Sequence, residues 1–150
     1  MKYRRLSSEE LGELEKEFID FLIVNGVTAD TWVDLKAKNN EKANSIIDSF
    51  SDIIFEGILR KVKYLEFVTP KSIKSFQCLA SEIVLVGLDS EGDSKIDFTK
   101  NDWMSDIDNV KIYNSSKQYK ESREIELFNM IQKGASISDG ELFKKLCLVL

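Results

Sequence analysis

Acidic side chains at Asp89, Glu91, Asp93 and Asp97 carry the spacing in this 150-residue chain that comes nearest to chemistry. Carboxylates two apart and then four apart open the template of a calcium loop. That template places oxygen ligands at positions one, three, five and nine, glycine at six and a bidentate glutamate at twelve. Counted from Asp89, the carboxylates fit and Ile96 supplies an apolar residue at eight, but Ser94 stands at the glycine position and Lys100 puts a cation where the glutamate belongs. The segment before Asp89 also reads as strand instead of helix. These departures predict no calcium binding and a polar hairpin turn through Ser90, Glu91, Gly92 and Asp93, with a return strand that turns Ile96 and Phe98 inward.

The acidity continues past that turn. Seven carboxylates and two lysines lie between Asp89 and Asp108, a balance equal to the net charge of −5 of the whole chain. Asp93, Asp97, Asp102, Asp106 and Asp108 are therefore the candidate acidic contact residues. Arg60, Lys61, Lys63, Lys71 and Lys74 face Glu66 alone and are the candidate basic ones, and Lys2, Arg4 and Arg5 add a second basic group at the start. Sharing a face with Tyr3, Tyr64 and Phe67, such cations would suit single-stranded nucleic acid. Structural roles compete, because lysine on an edge strand deters aggregation and a cation at a helix C-terminus complements the dipole. A sequence pI near 4.9 also lies below that of typical nucleic-acid binders.

Other chemistry is poorly supplied. Histidine is absent, which removes the commonest general base, the usual zinc ligand and every Ser-His or Cys-His pair. Cys78 and Cys147 lie far apart in apolar segments and are expected as buried thiols, not as a disulfide framework. No GxGxxG or GxxxxGK[ST] occurs, and the Lys117 to Glu124 segment lacks the glycines of a phosphate-binding helix start. Glu9 with Glu13 and Glu124 with Glu126 read as solvated helix faces, and Trp32 and Trp103 as core. No cofactor and no metal is expected.

The elements that must position these groups follow from periodicity. Ser7 and Glu10 have capping-box spacing ahead of one helix that carries Leu11, Leu14, Phe18, Phe21 and Leu22 to Asn25-Gly26. Thr28 caps a second helix through Trp32 and Leu35. A third, after Asn39-Asn40, repeats Ala43, Ile47, Phe50, Ile54 and Ile58, widened by Ile46, Ile53, Phe55 and Leu59. Alternation then predicts strands at 62–67 and 73–78 around Pro70, an interior strand at 83–88 and a short one at Val110, Ile112 and Tyr113. Two helices close the chain, the first ending near Gly134 and the second capped by Ser138 with Glu141. The fold class is α+β in a single domain spanning residues 1–150: N-terminal helices, a central antiparallel sheet of about four to five strands, and two C-terminal helices.

The run Met1-Lys-Tyr-Arg-Arg-Leu, with Phe18-Ile-Asp-Phe-Leu-Ile-Val-Asn-Gly, Phe55-Glu-Gly-Ile-Leu-Arg-Lys-Val-Lys-Tyr-Leu-Glu and Phe76-Gln-Cys-Leu, resembles a family of short proteins from Bacteroidota classed as a domain of unknown function. The resemblance covers most of the chain. It implies a bacterial cytosolic protein and brings no catalytic residue or partner with it. The opening residues, basic and then acidic, lack the pattern of a signal peptide, and no apolar run is long enough for a membrane span, so a cytoplasmic protein without membrane contact is expected.

Three function classes stand in order. First comes a non-enzymatic protein-binding or adaptor module acting through its charged segments on a protein partner. A nucleic-acid-associated protein using residues 60–74 is second, and an enzyme with an unfamiliar carboxylate-based site is third. Nothing in the sequence indicates an oligomeric state.

Overall fold

A computed structural model describes residues 1–92 and 94–150, with the side chains of residues 106–108 outside the description. The chain forms two compact units, Met1–Ile58 and Leu59–Leu150. The architecture is α+β, with N-terminal helices, an antiparallel five-stranded sheet and C-terminal helices. Among the described residues no helix is long and apolar enough to cross a membrane.

The first unit opens with the capping box. Ser7 Oγ accepts from the Glu10 amide at 3.2 Å, and the Glu10 carboxylate accepts from the Ser7 amide at 2.8 Å. Helix α1 (Ser8–Glu13) then stops at Leu14, whose φ of −105° and ψ of 25° leave the helical region, and α2 (Glu15–Val24) follows. One helix was expected here and two are present. Gly12, which costs a helix about 1 kcal/mol relative to alanine, weakens the turn just before the break. Thr28 caps α3 (Ala29–Lys38) by accepting from the Thr31 amide, and α4 runs Asn40–Lys61, its last residues entering the second unit. Leu6, Phe18, Leu22 and Phe50 form the core, with Trp32 edge-on to Phe18 at 5.2 Å and Phe50 5.0 Å from Phe18. Ile53 and Ile58, read as part of the core stripe, are 57% and 46% exposed.

Residues 2–6 lie against α4. The backbone amides of Lys2 and Tyr3 both donate to the Asp52 carboxylate, at 2.7 and 2.9 Å, and the Leu6 amide donates to the hydroxyl of Ser51, which itself donates to the Ile47 carbonyl. Ser51 is fully buried, so this pair of bonds satisfies a polar group that would otherwise be costly.

In the second unit the sheet order is β4-β3-β2-β1-β5, all antiparallel, from β1 (Tyr64–Val68), β2 (Ser72–Cys78), β3 (Glu82–Ser90), β4 (Val110–Gln118) and β5 (Ser136–Ser138). As expected, β3 is interior. Its partner after the acidic loop is not a return strand at Ile96 and Phe98 but β4, paired in continuous register from Glu82↔Gln118 to Ser90↔Val110. Ile96 and Phe98 are nonetheless buried, in an irregular stretch that packs with Trp103 against Ile73, Val86 and Leu88. A 3-10 helix, Trp103–Asn109, completes the connection.

Helix α6 (Glu141–Cys147) sets Phe143 and Leu146 on that same sheet face. It does not use the expected Ser138 and Glu141 box. Gly140, at φ 89°, takes the N-cap position, and a Cβ there would lie 2.5 Å from the Tyr64 ring, so the close approach requires glycine. Ser138 instead ends β5, which pairs with β1. Helix α5 (Arg123–Gln132) connects β4 to β5. Cys78 is buried, whereas Cys147, expected to be buried, is exposed on the last turn of α6.

Candidate functional site

Sequence neighbours among the basic candidates are separated by the hairpin geometry. Arg60 and Lys61 end α4, and Lys63 precedes β1, where its carbonyl accepts from the Cys78 amide at 2.8 Å. Arg60 and Lys63 line an open cleft with Val62, Cys78, Ala80, Arg123 and Glu124. Lys71 lies in the turn at the other end of the β1-β2 hairpin, about 15 to 20 Å away at the rise of a strand. Lys74 sits between, exposed in the middle of β2. The five do not form one group.

The acidic candidates are partly drawn together. Asp97 and Asp102 line one cleft with Ile96, Trp103 and Ser105, but Lys95 and Lys100 line it too. The hydroxyl and amide of Thr99 both donate to the Asp97 carboxylate and, with help from Lys100 and Lys71, hold it below the usual aspartate range. Lys71 also donates to the Ser94 carbonyl at 3.2 Å. One of the basic candidates is therefore an anchor of the acidic loop. Asp93 lies outside the described residues, as do the side chains of Asp106 and Asp108.

A group that no sequence window displays lies at the other edge of the sheet. Cross-strand partners share a face, so Lys74, Gly87 and Tyr113 form one row, Phe76, Leu85 and Ser115 the next, and Cys78, Ile83 and Lys117 the third. Tyr113 lies flat across β3, since a Cβ on Gly87 would approach its ring to 2.3 Å. Burial, and then the nearby Asp89, push the Tyr113 phenol upward. Beside this face, Lys117 and Lys120 with Glu121, Glu126, Asn129 and Met130 of α5, and Lys133 just after it line a groove. Glu126 is occupied by the Lys120 backbone amide at 2.8 Å. The period-two alternation of Lys111, Tyr113, Ser115 and Lys117 was the available signal for the face that ends at this groove, which it joins through Lys117; the rest of the lining depends on the turn after β4 and on where α5 comes to lie.

Arg123, the first residue of α5, is the most heavily engaged cation described. Its guanidinium donates to the carbonyls of Leu59 (3.0 Å), Val62, Cys78 (3.1 Å) and Leu79 (3.1 Å) and pairs with Glu124 at 3.3 Å. Tyr119 adds its hydroxyl to the Leu79 carbonyl at 2.9 Å. Burial pushes the Cys78 thiol up to about 11 and the Tyr119 phenol up to about 12, so both are neutral near pH 7. This cluster is built to join α4, β2 and α5, with a thiol held in its unreactive form.

Compared with known families, residues 1–150 match the profile of a family of unknown function, DUF6495. The chain belongs to this family. No curated protein and no solved structure matches it.

Proposed function

We propose that the protein is a non-enzymatic protein-binding module that acts in the bacterial cytoplasm through charged side chains of its second unit. The observation that supports this reading is how differently its charges are used. Lys2, Arg4, Arg5 and Arg123 are tied to carboxylates or backbone carbonyls. Lys61, Lys63 and Lys74, and Asp102 among the acidic candidates, are exposed and make no ion pair among the described residues. Charges held in this way speed association and select partners more than they add affinity, and their contribution is screened by salt.

A second reading, nucleic-acid association, draws support from Lys74 and Tyr113 sharing a row of one sheet face, with Gly87 between them. A carboxylate-based enzyme has less in its favour. Asp97, the described carboxylate of the acidic cleft with a shifted titration, is held ionised, the opposite of what a general acid needs.

Tagged protein would be used to capture partners from a bacterial lysate, identified by mass spectrometry, with Lys61→Glu/Lys63→Glu and Asp102→Lys alongside. A stoichiometric protein lost in one variant and weakened by salt is the expected result. Capture of RNA or DNA that depends on Lys74 and Tyr113 would move the assignment to nucleic acid. If neither happens while the purified protein turns over a small molecule, the binding reading falls.

A further inference from the structure

The edge strand β4 is unusually open. It pairs with β3 over all nine of its residues and, among the described residues, has no strand on its other side. From 111 to 118 no backbone group bonds to anything but β3 among the described residues. The register runs without a break and the strand contains no proline, so two of the common ways of blunting an edge are absent from it. Its outward N–H and C=O groups form a regular template. The groove beside α5 adjoins it at Lys117.

Charge selects the occupant. Lys111 and Lys117 stand on one face of the strand, and Lys120 and Lys133 border the groove; none of the four makes an ion pair among the described residues. Lys117, Lys120 and Lys133 line the groove against Glu121 and Glu126, and Glu126 already holds the Lys120 amide, whereas Lys111, at the far end of the strand, has Asp89 as its cross-strand partner. A second copy of the chain is disfavoured. Antiparallel pairing of β4 with itself over its full length sets Lys111 directly opposite Lys117 across the two-fold axis, twice over, and like charges in that position repel.

We propose that β4 and the lysine-lined groove beside α5 bind an extended acidic segment of another protein as an added sixth strand. Alternation fixes its pattern. Acidic side chains fall beside Lys111, Tyr113, Ser115 and Lys117, while the intervening residues meet Val110, Ile112 and the polar end of the strand on the opposite face. Main-chain bonds to the edge supply affinity and the lysines supply selection. Met130, half-buried in the groove, offers a pliable apolar contact. This inference rests on the protein-binding reading and names the class of partner.

The test uses full-length protein and a fluorescent peptide of alternating Glu and Val, matched to the nine-residue strand. Anisotropy should show saturable binding, which an alternating Lys-Val peptide does not reproduce. Lys117→Glu/Lys133→Glu should weaken it by about tenfold or more. Versions of the Glu-Val peptide N-methylated at every Glu, or at every Val, keep its charge, and one of the two should lose binding because a methylated edge cannot pair. Equal binding by both methylated peptides would overturn strand addition and leave only charge attraction. A dimer in sedimentation, dissociated by Ser115→Pro, would make a second copy the occupant and overturn the proposal. No peptide binding, with lysate capture still dependent on Lys61, Lys63 or Asp102, would remove the edge site and leave the protein-binding reading standing.

Discussion

Cations in the first unit and in the second are used in opposite ways. Between residues 2 and 5, Lys2 meets Glu56 at 2.9 Å, Arg4 grips Glu10 through two bonds of 2.8 and 2.9 Å, and Arg5 grips Asp48 at 2.6 and 3.0 Å. In the second unit Lys117, Lys120 and Lys133 line one groove without an ion pair among the described residues, while Arg123 directs most of its donors to backbone carbonyls. The reason is geometric. Lys2 and Arg5 reach carboxylates of α4 and Arg4 reaches Glu10 of α1, whereas Lys111 and Lys117 project from an edge strand with a neighbouring strand on one side. A count of charges does not separate structural cations from those left to meet a partner.

Each unit contains one tryptophan, Trp32 in the first and Trp103 in the second, so single-tryptophan variants report on them separately. The largest expected effect is on the first unit. Phe50 is 2% exposed and packs against Phe18 and Phe21, so Phe50→Ala should cost about 3 to 5 kcal/mol in urea unfolding read at Trp32. A loss below about 1 kcal/mol would contradict the packing. If the Trp103 signal moves equally, the two units unfold as one cooperative domain, and the comparison is between two surfaces of a single fold.

Arg123→Ala is the counterpart in the second unit. It strips a donor from four carbonyls that bring together the end of α4, the end of β2 and the start of α5, and should cost about 3 kcal/mol at Trp103. Arg123→Lys should recover only part of this, since a single ammonium does not reproduce the guanidinium fork. Full recovery by lysine would mean that the charge matters and the four-way geometry does not.

The sequence displayed what local patterns encode. The Ser7 box, the Thr28 cap, the length of α4, the interior place of β3 and the α+β class all follow from spacing within a few residues. Failures occurred where distant residues decide. Gly140 takes a cap from Ser138 because the Tyr64 ring lies against it, and Ser136–Ser138 becomes a strand only because β1 offers an edge. The place beside β3 expected for Ile96 and Phe98 is taken by the nine-residue β4, whose polar half from Asn114 to Gln118 gives little hydrophobic signal. The candidate site suffered most. The cations from Arg60 to Lys74 would suit nucleic acid only on a shared face, and the hairpin instead puts Arg60, Lys61 and Lys63 at one end, Lys71 at the other and Lys74 between them. The lysines that do converge come from β4, the turn after it and the residue just after α5.

The smallest effect separates the units by pH. In the first, Arg4 first and then the Ser7 amide hold Glu10 at about 2, from an ordinary value of 4.5, and the Arg5 guanidinium lowers Asp48. A carboxylate whose folded pKa is depressed contributes stability above its unfolded pKa and loses it as pH falls toward the folded value, so this contribution fades from about pH 4.5 down to about 2. Both pairs are partly exposed and screened, so the change is modest. In the second unit Asp97, lowered by Thr99, has the same sign, but the buried acids Cys78 and Tyr119 have the opposite one. Burial raises Cys78 from 9.0 to about 11 and Tyr119 from 10.0 to about 12. Acids whose folded pKa is raised favour the fold fully below the unfolded pKa and lose that contribution as pH climbs from about 9 to about 12. Urea midpoints across pH should therefore fall first at Trp103 on the alkaline side, while on the acid side both tryptophans report a loss, from Glu10 and Asp48 at Trp32 and from Asp97 at Trp103. Glu10→Gln should flatten the acid limb at Trp32 and leave the alkaline limb at Trp103 unchanged. Identical limbs at both tryptophans would mean that protonation in either unit is felt equally by the other, and the division of labour drawn from their ion pairs would not extend to stability.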